Sequence, residues 1–174
     1  MKTQTAAAPA SDREFVVSRV FDAPLAKVFA AWTEQKQMLR WWGPRIVTNE
    51  IPKFEVRPGG TYRIVTRMPD GVGYPMTGEF REVTPPSRLV MTMDCSEHPA
   101  AWHDMVKPGR SKEDRNPAGI IVTTVLFEAE GKGTRVTVRM QFESAEICEN
   151  MTKIGLSDGW GQSLDKLAEL LRGR

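Results

Sequence analysis

The sequence predicts an α+β fold: a curved antiparallel sheet covered by one long C-terminal helix, with two short helices after the first strand. Three observations carry that prediction. Leu156, Trp160, Leu164, Leu167 and Leu171 step by 4, 4, 3 and 4, placing them on one stripe of a helix. Between Ile46 and Phe142 short β-rich runs alternate with turn residues, and several of them show a period of two. Finally, a sheet with a single apolar face must be covered on that face, and the terminal helix is the one element long enough to do so.

Taken in order, Met1–Arg13 has no apolar core segment, so it reads as a tail ahead of a single domain spanning 14–174. Phe15–Phe21 is short and β-rich, and the turn-like Asp22-Ala23-Pro24 ends it. Asp22 is the expected cap of the next helix, with Pro24 in its first turn, where a missing N–H costs nothing. Val28, Phe29 and Trp32 share a helical face, and Thr33 ends it. A second short helix through Met38, Leu39 and Trp42 stops at Gly43-Pro44, because proline cannot continue a helix.

Strands are expected at Ile46–Ile51, Thr61–Met68, Met76–Val83, Arg88–Asp94, Ile120–Glu130 and Thr134–Phe142. In Thr61–Met68, Tyr62, Ile64, Thr66 and Met68 alternate with Arg63, Val65 and Arg67, the pattern of a sheet with one wet face. Val136, Val138, Met140 and Phe142 do the same in the last strand, which follows a hairpin at Gly131-Lys132-Gly133. Cys95–Gly119 shows no sustained period and contains Pro99, Pro108, Gly109 and Pro117, so it reads as a long surface loop. Ser144 is the expected cap of a helix through Ile147, Met151 and Ile154. Ser157 or Asp158 would cap the terminal helix, which runs about 25 Å at 1.5 Å per residue.

Composition narrows the function. The chain has 174 residues, 40% apolar and 26% charged, as in an ordinary globular domain. A net charge of +2 argues for neither nucleic acid nor a membrane surface, and no apolar run approaches the length of a span. Cys95 and Cys148 lack metal or redox spacing and read as reduced thiols of a cytoplasmic protein.

A straight helix cannot close a strongly bent sheet along its full length, so space is expected between them. The residues expected to line it are Phe29, Trp32, Tyr62, Ile64, Phe80, Met91, Met93, Phe127, Met140, Phe142, Trp160 and Leu164, with Trp41 and Trp42 at its mouth. For Trp41-Trp42 two readings stand together: an indole roofing the cavity and stacking on a flat ligand, or an indole packing the short helices onto the sheet. Adjacent helical residues diverge by about 100°, so one of the pair is expected inside.

Four stretches, WTEQKQMLRWWGP (32–44), FEVRPGGTYR (54–63), GEFREVTPPSRLV (78–90) and GWGQSLDKLAELL (159–171), resemble the bacterial relatives of the heat-shock-protein ATPase activator C-terminal domain. That family lies in the START-like (SRPBCC) helix-grip superfamily, and the resemblance runs from about Phe15 to Leu171. It implies a seven-stranded antiparallel sheet wrapped around the C-terminal helix with a cavity between. Members of the superfamily bind lipids, hormones and polyketides, and some are cyclases or hydrolases. No shared catalytic set accompanies this branch.

Other clusters have plain structural readings. Arg57-Pro58-Gly59-Gly60 lacks the strand–loop–helix setting and Lys-Ser/Thr of a phosphate loop, so it is expected to join strands. Cys95, His98, His103 and Asp104 are spaced 3, 5 and 1 apart, which matches no recurrent metal site, and no metal or other cofactor is expected. Glu79 pairs with Arg81 on the outer face by alternation, while a carboxylate of Glu79, Glu82 or Glu128 inside the cavity would be a general acid. Arg63, Arg67, Arg135 and Arg139 could form a basic strip, but it has no aromatic partners for nucleic acid and reads as a solvated face. The leading expectation is a non-catalytic binder of a small hydrophobic or aromatic molecule. A cyclase- or hydrolase-like enzyme in the same cavity and a chaperone-associated interaction module are the alternatives. A homodimer is left open.

Overall fold

A computed structural model of the chain describes residues 8–173; the start of the expected tail, residues 1–7, lies outside the described residues. Seven strands, β1 (Glu14–Phe21), β2 (Thr48–Phe54), β3 (Thr61–Arg67), β4 (Gly73–Thr84), β5 (Arg88–Asp94), β6 (Ile120–Glu130) and β7 (Gly133–Gln141), form one sheet. Its order is β1-β7-β6-β5-β4-β3-β2 and every neighbouring pair is antiparallel. Only the first strand leaves the meander: the chain crosses through α1 (Leu25–Thr33) and α2 (Gln35–Trp41) to the far edge and then returns strand by strand. Register shifts at Glu50/Lys53 and Phe80/Glu82 interrupt β2–β3 and β4–β5, where an extra residue bends a strand. The sheet and α5 (Leu156–Leu171) share one apolar core.

The period-two reading matches the packing of β7, where Val136, Val138, Met140 and Phe142 are all buried. Five of the terminal helix's positions do as the stripe predicts on one side: Trp160, Leu164, Leu167 and Leu171 are buried, and Leu156 is half-buried at its start. A helix of 16 residues spans about 24 Å. Between β5 and β6, α3 (Ala100–Val106) forms, and α4 (Ala145–Lys153) precedes α5.

Several local expectations are corrected. Asp22 is exposed and does not cap α1; Pro24 occupies the cap position with no side-chain bond, and its carbonyl receives the first helical N–H groups from Lys27 and Val28. Neither Ser157 nor Asp158 caps α5. Both lie inside the helix, because Gly155 at φ 107° turns the chain directly from α4 into α5 and offers its carbonyl to Gly159 N–H. Such a left-handed backbone favours glycine, so the junction needs no side-chain cap. Ser144 does cap α4, its Oγ accepting the Ile147 N–H at 3.1 Å. The strand expected at Ile46–Ile51 begins later and runs further, Thr48–Phe54. The stretch 95–119 is not loop throughout, since α3 starts behind Pro99 and buries His103 and Val106.

Candidate functional site

Where the N-terminal half of α5 leaves the sheet, α3, α4 and the Trp42–Pro44 turn close a cavity of about 610 Å³. Its floor comes from the sheet: Met76 on β4, Met93 on β5, Ile121 on β6 and Met140 on β7, with Cys95 just past β5. Trp102 and Met105 of α3, Met151 of α4, and Leu156, Gly159, Trp160 and Ser163 of α5 form the walls, and His98 sits ahead of α3. Met105 and Ile154 also lie on this wall and are exposed, which puts them at its open rim. Five flexible thioethers and three indoles make a surface that adapts to an apolar guest. Gly159 contributes by absence: a Cβ there would meet nothing within 4 Å.

Of the fourteen residues singled out from the sequence, Trp42, Met93, Met140 and Trp160 line this cavity. The other ten do not. Phe29, Trp32, Trp41, Tyr62, Ile64, Phe80, Met91, Phe127, Phe142 and Leu164 are buried in the apolar core outside this cavity, and Tyr62 also borders a separate, shallower recess with Thr61, Thr77 and Thr92. Alternation identifies the inner face but not how far along the helix the packing stays closed. Trp41 and Trp42 divide their roles: the Trp41 indole N–H donates to Ala31 O at 2.9 Å inside the core, and Trp42 is half-buried on the cavity wall.

Polar contacts from behind fix the wall. Trp160 Nε1–H donates to Met140 Sδ at 3.1 Å and Thr123 Oγ1–H donates to Met93 Sδ at 3.4 Å. Lys166 Nζ reaches three successive carbonyls of the turn, Trp42 O at 3.3 Å, Gly43 O at 3.0 Å and Pro44 O at 3.3 Å. Asn49 Nδ2 donates to the same Trp42 O at 2.7 Å, and Arg45 N–H donates to Gln162 Oε1 at 2.9 Å. Burial, together with the nearby Arg45 charge, lowers the Lys166 pKa.

The Cys95, His98, His103 and Asp104 group is split by these contacts. His103 donates through Nε2 to Ser96 O at 3.2 Å, and Asp104 accepts from Arg110 Nε at 3.0 Å. Among the described residues no three His, Cys, Asp or Glu side chains are placed to hold a metal ion. His98 lies edge-on to Tyr74, ring centroids 5.2 Å apart, and to Trp102 at 4.3 Å. Burial, with His103 adding to it, lowers its pKa to about 4, so the ring is neutral at pH 7. Burial pushes the Cys95 thiol up to about 12.

Outside the cavity the charged clusters are solvated pairs. Glu79 meets Arg81 at 3.5 Å and Glu82 meets Arg88 at 3.0 Å, while Glu128 is exposed. The four arginines do not form a strip, because β3 and β7 are separated by three strands; Arg63, Arg67, Arg135 and Arg139 pair with Glu97, Glu50, Glu130 and Glu14. Arg57–Gly60 joins β2 to β3, with Gly59 at φ 80° donating its N–H to Phe80 O. No helix among the described residues is long and apolar enough to cross a membrane.

Trp102, Met105, Met76, Ile121, Met151 and Leu156 were not anticipated on the cavity wall. For the first two a signal existed: behind Pro99, Trp102, Met105 and Val106 recur at helical spacing inside the stretch that reads as loop.

A seven-stranded antiparallel sheet gripping a C-terminal helix, with a cavity at one end of the contact, defines the START-like helix-grip class, a ligand-binding fold. Within it, the chain belongs to the family described as Activator of Hsp90 ATPase homolog 1-like protein, which it matches over residues 22–172. Among solved structures, a protein from Arthrobacter aurescens is 22% identical with a TM-score of 0.80, the match covering 98% of this chain and 92% of that one. A Rhodobacter sphaeroides protein is 17% identical with a TM-score of 0.81, covering 99% and 100%. A Nitrosomonas europaea protein is 22% identical at 0.73, covering 94% and 96%. At these identities the likeness is one of fold. No curated protein matches the chain.

Proposed function

We propose that this protein binds a small hydrophobic or aromatic molecule between its sheet and its C-terminal helix, without converting it. The observation that supports this most is the composition of the cavity wall: methionines and indoles around about 610 Å³, with few polar groups among them. Ligand sites of small molecules have volumes of roughly 300–1,000 Å³ and such linings. The cyclase or hydrolase reading draws no support from Tyr62, whose hydroxyl is spent on Thr92 O inside the core.

Native mass spectrometry of protein purified from its own host, followed by thermal shifts against a library of aromatic and aliphatic compounds, tests the reading. A ligand at a hundred times its Kd stabilises the folded state by about 2.7 kcal/mol. Gly159→Trp fills the space that its missing side chain leaves, and the shift is expected to vanish in that variant while the fold persists. Shifts that survive Gly159→Trp would place the site elsewhere, and their complete absence across the library would end the proposal.

A further inference from the structure

We propose that the cavity selects neutral molecules carrying a hydroxyl or carbonyl oxygen on an apolar body, and that Ser163 is the residue that recognises that oxygen. This deepens the binding reading above and rests on it. Thioethers, indoles and aliphatic groups make up most of the wall, and Ser163 supplies its one side-chain oxygen. On α5 it stands four residues after Gly159, on the same face of the helix. A Cβ at Gly159 would meet nothing within 4 Å, so a guest can approach this face closely.

The fold makes no use of the Ser163 hydroxyl. A hydroxyl side chain inside a helix can donate to the carbonyl four residues back, as Thr33 does to Phe29 O at 3.0 Å and Thr152 to Cys148 O at 2.8 Å. Ser163 makes no such bond to Gly159 O, and its hydroxyl has no hydrogen-bond partner among the described residues. The residue is 5% exposed, yet its oxygen is not one of the unpaired polar atoms sealed inside protein, which include Trp32 Nε1, Thr61 Oγ1 and His98 Nδ1. The space left open to it is the cavity. A hydroxyl left unpaired in apolar surroundings is unfavourable, and a ligand oxygen that pairs with it removes that deficit.

Charge sets the class. No carboxylate lies on the wall, so a cationic ligand would lose its hydration without gaining a partner. Anions fare no better. Lys153 reaches the wall but is ion-paired with Glu149 at 2.9 Å, with both side chains about two-thirds exposed. Lys166, one turn beyond Ser163, commits its ammonium group to the carbonyls of Trp42, Gly43 and Pro44. A serine hydroxyl donates to a carbonyl, and it both donates to and accepts from another hydroxyl, so either neutral group suits it.

Two matched pairs test this: 2-naphthol against 2-methylnaphthalene, and 2-acetylnaphthalene against 2-isopropylnaphthalene. The members of each pair are close in shape and differ in the oxygen. Affinities are measured by equilibrium dialysis at pH 7 for the intact wild-type protein and for Ser163→Ala. The variant should bind both hydrocarbons as the wild type does. Its affinity for an oxygenated probe should fall about three- to ten-fold, the worth of one hydrogen bond. A fall for both oxygenated probes supports Ser163 as the donor, and a fall for 2-naphthol alone supports it for hydroxyl compounds. Ser163→Ala should also unfold at an unchanged or higher urea concentration, because alanine favours a helix and no bond within the protein is lost. A lower urea midpoint, or the same ratio of affinities within each pair in wild type and variant, overturns the role of Ser163. Tighter wild-type binding of 2-naphthoate or of protonated 2-(aminomethyl)naphthalene than of 2-naphthol overturns the neutral class. If the hydrocarbons themselves fail to bind, or bind equally to Gly159→Trp, the cavity reading fails first and this inference with it.

Discussion

Trp32 on α1 and Trp160 on α5 lie face to face, their centroids 6.1 Å apart and their planes 18° from parallel. Trp32 also meets Phe127 of β6 edge-on at 6.0 Å, so the stack ties the crossover helix, the sheet and the terminal helix at one point. Beyond Trp160 the packing opens: the same indole that closes the core lines the cavity. Stability and ligand affinity therefore share a residue.

Trp160→Ala is expected to cost about 3–5 kcal/mol, as deletions of buried aromatics do. It removes the stack with Trp32, the edge contact with Trp42 and the bond to Met140 together. Trp160→Phe retains a ring but no N–H donor, and should lose less. Urea unfolding followed by far-UV circular dichroism measures both; equal losses would mean that the shared ring carries little of the effect.

The Lys166 ammonium group holds the turn between α2 and β2 by three carbonyls at once. Lys166→Met keeps most of the side chain's bulk and removes the donor, leaving half-buried carbonyls short of partners. The expected loss is on the order of 1–3 kcal/mol. Because Trp42 rides on that turn, the variant should also weaken binding of any cavity probe, which a fluorescence titration reads beside the urea midpoint. An unchanged midpoint would show that Asn49 and the Arg45–Gln162 contact hold the turn unaided.

The architecture was legible because it follows from repetition. Alternation in Thr61–Arg67 and Gly133–Gln141, and the 4-4-3-4 stripe of α5, each report a face over many residues at once. The cavity was legible only in part, since its place depends on where packing stops. Phe29 and Phe80 have the same character as Met93 and Met140, yet the first two meet aromatic neighbours, Phe127 for Phe29 and Tyr62 for Phe80, while the second two sit under the gap. α3 went unread because His103, Asp104, Pro108 and Gly109 dilute an apolar period only seven residues long. The caps failed for a similar reason: Asp22 and Ser157 are suitable residue types, but the chain path through Pro24 and Gly155 decided the helix starts.

His98 makes stability depend on pH. Its folded pKa, about 4, lies below the ordinary histidine value of 6.5 because burial and His103 disfavour the charged ring, with Asp94 opposing them. The unfolded chain thus binds the proton more readily. The contribution is complete above pH 6.5 and is lost as pH falls towards 4, up to about 3 kcal/mol. Wild type and His98→Phe compared by urea denaturation from pH 4 to 7 should differ in slope, the wild type gaining stability faster as pH rises. Parallel curves would contradict the buried, neutral ring.

Cys95 lines the cavity but is expected to be chemically quiet. With a thiol pKa of about 12, roughly one molecule in ten thousand carries the reactive thiolate at pH 8. Burial raises the Cys148 thiol too, with Asp12 and Glu14 adding to it. An aromatic disulfide reagent at pH 8 should therefore titrate neither thiol in the native protein on the timescale on which it titrates both in 6 M guanidinium, and Gly159→Trp should leave the native result unchanged. Rapid reaction of one native thiol, traced to Cys95 by peptide mass mapping, would mean that the cavity wall opens to water far more often than its packing around Met93 and Met140 implies.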